Sequence, residues 1–236
     1  TVLNSYAFKG CSSLQSTTLN RSVILTDSNG IPYEDIFEEC TGDIMINCPI
    51  SNVDDGYLQN DGSPNFGYGT TNVFNNSKFN TITIGQDVTK IGYGYFNYVD
   101  FGRINIGDNV IEIGASAFYG ASGDISFTSN SKLNKIAVYA FSGCEFNDFI
   151  MPESVTKIGW HAFSGSSGDN LIIGSKVTDI GANAFCNANM TGMVTIKCNL
   201  SNTANISEYA FEDHQFSSLR IIGNYEKINV KMHPYA

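Results

Sequence analysis

A phenylalanine preceded by a small or apolar residue recurs along this 236-residue chain at a nearly constant interval. From Phe74 to Phe185 each step is 22 or 23 residues, and the step to Phe211 is 26. Two earlier steps are longer, at 29 and 37 residues. We call these nine residues the anchor phenylalanines: Phe8, Phe37, Phe74, Phe96, Phe118, Phe141, Phe163, Phe185 and Phe211. A period of 20–50 residues indicates a solenoid or another repeat architecture.

Other positions repeat in step with the anchors. A branched apolar residue stands five positions before most of them, at Leu3, Ile91, Ile113, Ile136, Ile158, Ile180 and Ile206. A short alternating segment follows several anchors, as at 81–84, 103–106 and 170–173. Alternation of this kind predicts a strand with one buried face. Because a 22-residue unit cannot bury its own apolar face, we expect the units to stack into a solenoid with a parallel sheet along one side.

The motif Val-x-x-Ile-Gly-x-x-Ala-Phe occurs at 110–118, 155–163 and 177–185. It resembles the BspA-like (Treponema pallidum-type) leucine-rich repeat of surface proteins from host-associated anaerobic bacteria and some protists. The resemblance implies a right-handed superhelix with the parallel sheet on its concave side and short turns or 3-10 segments on its convex side. It departs from the repeat at Pro32 and Gly69, which occupy the position five before an anchor.

The spacing predicts one domain over residues 1–236, made of about nine units of 22–23 residues. The long step between Phe37 and Phe74 contains a Gly/Asn/Asp-rich insertion at 51–71. The polar segment 223–236 is expected to cap the end of the stack. The chain begins inside a repeat and without an initiator methionine, as a fragment of a longer precursor would.

Composition excludes several classes of partner. The chain has 13 basic and 23 acidic residues, a net charge of −10, and its basic residues are scattered. A nucleic-acid interface normally carries a basic stripe, so we expect no nucleic-acid partner. No run approaches the roughly 20 apolar residues that span a bilayer.

The six cysteines include no Cys-x-x-Cys pair. Cys11, Cys40 and Cys144 each follow an anchor by three residues, at a position that is mostly small elsewhere, which favours a packing role. Whether Cys11 and Cys40, in neighbouring units, form a bridge stays open. The histidines show no metal-binding spacing, and the variable position of His161 predicts an exposed turn residue. No catalytic residue, metal site or cofactor is predicted.

Two features are candidates for ligand binding. The first is the outward-facing row between the buried strand residues, with its predicted contacts at Arg103, Asn105, Asp124, Asp148, Asn170 and Arg220. Nine strands would span roughly 40 Å at about 4.8 Å per strand. The second is the 51–71 insertion, with Tyr57 and Tyr68. An ordinary solvated strand face and a harmless surface insertion are the alternatives.

Repeat architecture without a catalytic constellation favours a non-enzymatic binding or adhesion module of a bacterial surface protein. The expected ligand is a host protein or glycan, and the chain is expected to be a monomer at the cell surface or secreted. The alternative is a structural spacer or an oligomerisation domain of a larger surface protein.

Overall fold

The computed structural model describes residues 1–12, 14–26, 33, 35–50, 73–74, 76–201 and 205–223, with only the backbone of 15 and 16. This part of the chain forms strands and turns and no α-helix. The strands are β1 (Leu14–Leu19), β2 (Thr41–Ile46), β3 (Lys78–Ile84), β4 (Lys90–Ile91), β5 (Asp100–Ile106), β6 (Glu112–Ile113), β7 (Ser122–Phe127), β8 (Lys135–Ile136), β9 (Asp148–Ile150), β10 (Lys157–Ile158), β11 (Ser167–Gly168), β12 (Asn170–Ile173), β13 (Asp179–Ile180), β14 (Asn189–Ile196) and β15 (Gln215–Ile221).

The longer strands form one parallel surface, which we call the main sheet. Its order is β1-β2-β3-β5-β7 and then β9-β12-β14-β15, with β11 also beside β14. Isolated bridges from Glu145 to Ser122 and to Ser167 connect the two parts. Every pairing is parallel and joins consecutive units. The predicted parallel solenoid is therefore confirmed.

A second sheet, here the minor sheet, consists of five two-residue strands in the order β4-β6-β8-β10-β13. Each has a charged residue followed by a buried isoleucine, such as Lys157 and Ile158 of β10. We predicted only turns or 3-10 segments opposite the main sheet. Two residues are too few for an alternating pattern to be recognised, so the sequence does not reveal these strands.

The turns that carry the anchors contain successive hydrogen bonds between residues three apart. In one unit Ala117, Tyr119 and Ala121 donate to the carbonyls of Gly114, Ser116 and Phe118. These turns do not join into a 3-10 helix, because Ser116 has a left-handed φ of 52°.

The anchor phenylalanines stack face to face through the middle of the solenoid. Within the described residues nine rings form eight successive stacked pairs, with centroids 4.9–5.3 Å apart. All except Phe8 are buried. Burial contributes about 1.5–3 kcal/mol per side chain, and aromatic contact adds about 0.5–1.5 kcal/mol per pair. This column confirms the stacking expected from the period.

Candidate functional site: the outer face of the main sheet

The predicted contact residues lie on the outer face of the main sheet, in two rows that cross the strands. Arg103, Asp124, Asp148 and Asn170 belong to the first row, in which Arg103 lies opposite Asp124, and Asp148 opposite Asn170. The second row contains Asn105 opposite Ser126, Ile150 opposite Ile172, and Thr195 opposite Arg220. Arg103, Asp148 and Arg220 are exposed, whereas Asn105, Asp124 and Asn170 are half-buried.

The first row is held together by polar contacts between neighbouring units. The guanidinium of Arg103 lies 3.7 Å from the Asp124 carboxylate, which also accepts a 2.7 Å hydrogen bond from the Asn147 amide. The Asn170 amide donates to Asp148 at 2.8 Å, and its oxygen accepts from the backbone N–H of Met193 at 2.7 Å. These contacts orient the side chains, although an exposed ion pair is worth only about 0–1 kcal/mol.

A groove of about 900 Å³ opens between this face and the loops that follow the strands. Charged side chains of both signs line it: Arg103, Lys176, Lys197, Asp124, Asp148 and Glu153. The groove thus brings together three predicted residues, Arg103, Asp124 and Asp148. Asn105, Asn170 and Arg220 are absent from its lining.

Sequence reasoning missed Glu153 and Lys197, which lie in loops two units apart in this groove, with the loop of Ser175 between them. Glu153 accepts hydrogen bonds from the hydroxyl and backbone N–H of Ser175, at 2.7 and 3.0 Å, and lies 3.2 Å from the Lys197 ammonium. The Ser175 hydrogen bonds, with Lys197, lower the pKa of the Glu153 carboxyl. Glu153, Ser175 and Lys197 follow one another at intervals of 22 residues, so the repeat period was a signal that could have brought them together.

The loop that follows β7 also lines the groove, with Thr128, Ser129 and Ser131. Five residues separate Phe127 from Leu133, whereas three separate the equivalent Ile106 from Val110. The loop is therefore two residues longer than the equivalent loop of the preceding unit. That difference in spacing was a usable signal for an irregular feature at this point.

Tyr57 and Tyr68, the contacts predicted in the 51–71 insertion, lie outside the described residues, as does most of the predicted cap at 223–236. Their roles remain predictions.

The described cysteines are free thiols, including Cys11 and Cys40. The Cys40 thiol donates to the carbonyl of Phe8 at 2.9 Å, and burial raises its pKa to about 11. The Cys144 thiol donates to the Phe118 carbonyl at 2.8 Å, and burial raises its pKa. Both thiols therefore pack as small buried groups. Among the described residues no three His, Cys, Asp or Glu side chains are placed to hold a metal ion.

His161 is half-buried, so the prediction of an exposed turn residue is wrong. Its ring stacks on Tyr139 at 4.9 Å and meets the Trp160 ring edge-on at 4.4 Å. Its Nε2 lies 3.3 Å from the Asn183 amide nitrogen. Burial lowers its pKa below the usual 6.5, because these uncharged neighbours do not replace the water that stabilises an imidazolium.

The lowered pKa of His161 predicts that acid weakens the fold. Above pH 6.5 the ring is neutral in both states, and the histidine contributes no pH dependence. As the pH falls through 6.5 the unfolded chain binds a proton more readily than the folded chain, so stability is lost. We expect a lower urea midpoint at pH 5.5 than at pH 7.5. His161→Asn, a residue that Asn183 shows the position tolerates, should reduce the difference.

His214, which is buried and whose pKa burial also lowers, should account for much of the remaining difference. A midpoint that rises on acidification, or an unchanged pH dependence in the His161 and His214 double variant, would contradict this account.

The geometry defines a class of protein: a solenoid scaffold that exposes one long parallel sheet. The model of the BspA type Leucine rich repeat region matches residues 1–55, 70–136 and 123–234, in six copies. The chain therefore belongs to the BspA-type leucine-rich repeat family, as its motifs indicated. No curated protein and no solved structure matches the chain significantly. None of the described segments forms a helix long and apolar enough to cross a membrane.

The family suggests a surface repeat protein, commonly adhesion-related. Leucine-rich repeats are generally non-catalytic scaffolds, and their domains generally bind proteins. Proteins of the BspA type are typically found at the surface or secreted.

Proposed function

We propose that this chain is a non-enzymatic binding module of a bacterial surface or secreted protein, which presents the outer face of the main sheet to a host protein or glycan. The observation that carries the proposal is the groove of about 900 Å³ on this face, whose lining includes charged side chains of both signs. A rigid repeat scaffold supports such an extended surface with little conformational cost on binding.

Complementary charges set specificity and association rate more than total affinity. Along the order of the units the groove has positive side chains at its two ends, Arg103 and Lys197, and acidic side chains between them, Asp124, Asp148 and Glu153. A protein surface or a charged glycan with the complementary arrangement of charges fits this pattern. The module would act as a monomer, because one copy carries the whole row.

A charge-swapped pair tests the proposal. The variant Arg103→Asp with Asp124→Arg keeps an ion pair but reverses the charges that a ligand meets. The matched control is Glu112→Lys with Lys135→Glu, which swaps a partly exposed ion pair of 2.8 Å on the minor sheet. Binding is measured on a panel of immobilised host matrix proteins and cell-surface glycans. We expect the main-sheet swap to weaken binding at least tenfold and the minor-sheet swap to leave it unchanged.

Three results would reject the proposed binding face. They are absence of binding to every member of the panel, equal loss in both swaps, and no loss in either. Absence of binding together with self-association in analytical ultracentrifugation would instead identify an oligomerisation domain.

A further inference from the structure

Five aromatic side chains form a second surface on the turns that carry the anchors, away from the main sheet. We call it the aromatic strip and define it as Tyr98, Tyr119, Tyr139, Trp160 and His161. Its rings follow one another across four consecutive units, with centroids 5.5 Å apart for Tyr98–Tyr119, 6.5 Å for Tyr119–Tyr139 and 5.3 Å for Tyr139–Trp160. The planes of neighbouring rings are inclined by 78°, 60° and 73°, so the turns present a continuous line of ring faces and edges.

The strip is accessible to a ligand. Tyr98 is 65% exposed, and the other four rings are half-buried, each with part of its surface open to solvent. The Tyr98 ring packs over Gly120, where an added Cβ would lie 2.7 Å from two ring carbons. Gly120 thus supports the Tyr98 ring, which remains the most exposed ring of the strip.

Three strip residues adopt a backbone conformation that aromatic residues rarely take. Tyr98, Tyr139 and His161 have φ values of 55°, 54° and 52°, in the left-handed region that costs a non-glycine residue about 1–2 kcal/mol. In other units the equivalent positions mostly hold small or polar residues, such as Gly94, Ser116, Gly143, Gly165, Asn183 and Asn187, although Tyr6 is a tyrosine at the position of Tyr139. The fold does not need a ring at these positions. The left-handed conformation recurs in nearly every described unit and belongs to the fold, whereas an aromatic side chain in it does not.

The absence of charged residues from the central turns indicates what kind of ligand the strip can bind. The turn segments 93–98, 115–120, 138–143, 160–165 and 182–187 contain no Lys, Arg, Asp or Glu, although the chain carries a net charge of −10. The corresponding turns at the two ends of the stack are charged, with Lys9 and Glu38 at one end and Glu208, Glu212 and Asp213 at the other. A strongly charged ligand would find no counter-charge on the strip. The surface fits an uncharged ligand.

The dimensions of the strip favour a chain of sugars over a protein. Four units at about 4.8 Å spacing place the outermost rings roughly 15 Å apart, and the line is only one turn wide. A surface of this length and width offers well under the roughly 800 Å² per partner that a stable protein interface buries. The apolar C–H faces of neutral sugars pack flat on aromatic rings, while hydroxyl groups can bond to polar neighbours such as Asn183.

We propose that the aromatic strip binds a neutral, extended glycan whose sugar units contact the exposed faces and edges of Tyr98, Tyr119, Tyr139 and Trp160 in turn. The site is separate from the outer face of the main sheet, so this proposal can be tested independently of the function proposed above. Each aromatic ring contributes a small part of the binding free energy, so the affinity depends on how many rings the ligand contacts at once.

Trp160 is the only tryptophan of the chain, so its fluorescence reports on this surface alone. The intact chain is titrated with neutral hexasaccharides of glucose and of N-acetylglucosamine, with the corresponding monosaccharides, and with a heparin hexasaccharide. We expect a saturable fluorescence change with at least one neutral hexasaccharide. Its binding should be at least tenfold tighter than that of its monosaccharide, with no saturable response to heparin.

The glycan affinity of single-residue variants, measured by calorimetry, then locates the binding site. Tyr98→Asn and Tyr139→Asn each introduce a residue that the same position holds in another unit, at Asn187 and Asn183, so both should fold. Each should weaken binding at least fivefold. The matched control is Tyr6→Ala, which removes a half-exposed tyrosine at the position of Tyr139 in the first unit, outside the strip. It should bind like the unaltered chain.

Several outcomes would overturn the proposal. These are no response to any neutral hexasaccharide, equal affinity for monosaccharide and hexasaccharide, and binding that survives both tyrosine substitutions. A saturable response to heparin alone would also overturn it, as would a self-association that Tyr98→Asn abolishes while no glycan binds. The Arg103–Asp124 charge swap should leave glycan binding unchanged, which separates this site from the main-sheet face.

Discussion

Replacing Phe141 by alanine is expected to lower the free energy of unfolding by about 3–5 kcal/mol. Phe141 is fully buried and stacks on Phe118 and on Phe163, with both centroid distances 5.1 Å. It also meets the edge of Phe149 at 5.0 Å. Alanine at this position opens a cavity and interrupts the column of rings on both sides. Urea denaturation followed by circular dichroism measures the loss.

Phe8→Ala is the matched control, because Phe8 is half-buried and, among the described residues, stacks on Phe37 alone, at 5.3 Å. Its loss should be about 1–2 kcal/mol, in proportion to the smaller area buried. Equal losses for Phe8→Ala and Phe141→Ala would show that the column does not carry the stability assigned to it. Repeat proteins can unfold in parts, so the slope of the transition must also be compared.

The second large effect is expected at Gly123, which has a φ of 129° at the start of β7. A Cβ built on Gly123 would overlap the backbone carbonyl oxygen of Phe101 in the neighbouring strand. To avoid this overlap, strands β5 and β7 would have to move apart. Gly123→Ala should therefore cost more than about 4 kcal/mol, in the range that marks a specific structural defect.

Gly165→Ala provides the control. Gly165 also has a positive φ, of 66°, but a Cβ there would meet nothing within 4 Å. Its substitution should cost about 1 kcal/mol, the penalty of the left-handed conformation alone. Thermal and urea denaturation of both variants compare the two costs. A Gly123→Ala protein as stable as Gly165→Ala would mean that the strands can move apart freely.

Gly123 also shows how much of a small irregularity in the repeat is visible in the sequence and how much only in the structure. The pairing of β5 with β7 shifts by one residue between Asp100 and Arg103, so the extra residue of β5 lies opposite Gly123. In the sequence this appears only as Ile125 standing seven residues after its anchor, whereas Ile104 stands eight after its own. The spacing reveals that a residue is missing. Only the coordinates show that a glycine with an unusual φ absorbs the change.

The buried positions were predictable because burial in a solenoid follows the period directly. An anchor such as Phe163 and the Ile158 five residues before it must face inward in every unit, since outward they would expose large apolar side chains. The minor sheet and the left-handed residues of the turns were not predictable. Each involves one or two residues, and no periodic pattern distinguishes His161 in a strained, half-buried turn from an exposed loop residue.

For the candidate site, alternation predicted correctly that Arg103, Asp148 and Arg220 point outward. It could not predict their neighbours. Slipping a strand by one residue reverses its faces, but which side chains meet across strands depends on the register of each pair. The contact of Arg103 with Asp124, the hydrogen bond of Asn170 to Asp148 and the groove that includes Glu153 are consequences of that register.

The amino-acid sequence alone therefore determined that this protein is a stack of similar units, and which side chains its core contains, because a repeated apolar pattern has one way to be buried. The tertiary structure decided which surface residues become neighbours. Residues 22 positions apart along the chain, such as Tyr139 and His161, come into contact only when one unit lies on the next. Contacts between units depend on register and loop length, and small changes in either move them without altering the repeat itself.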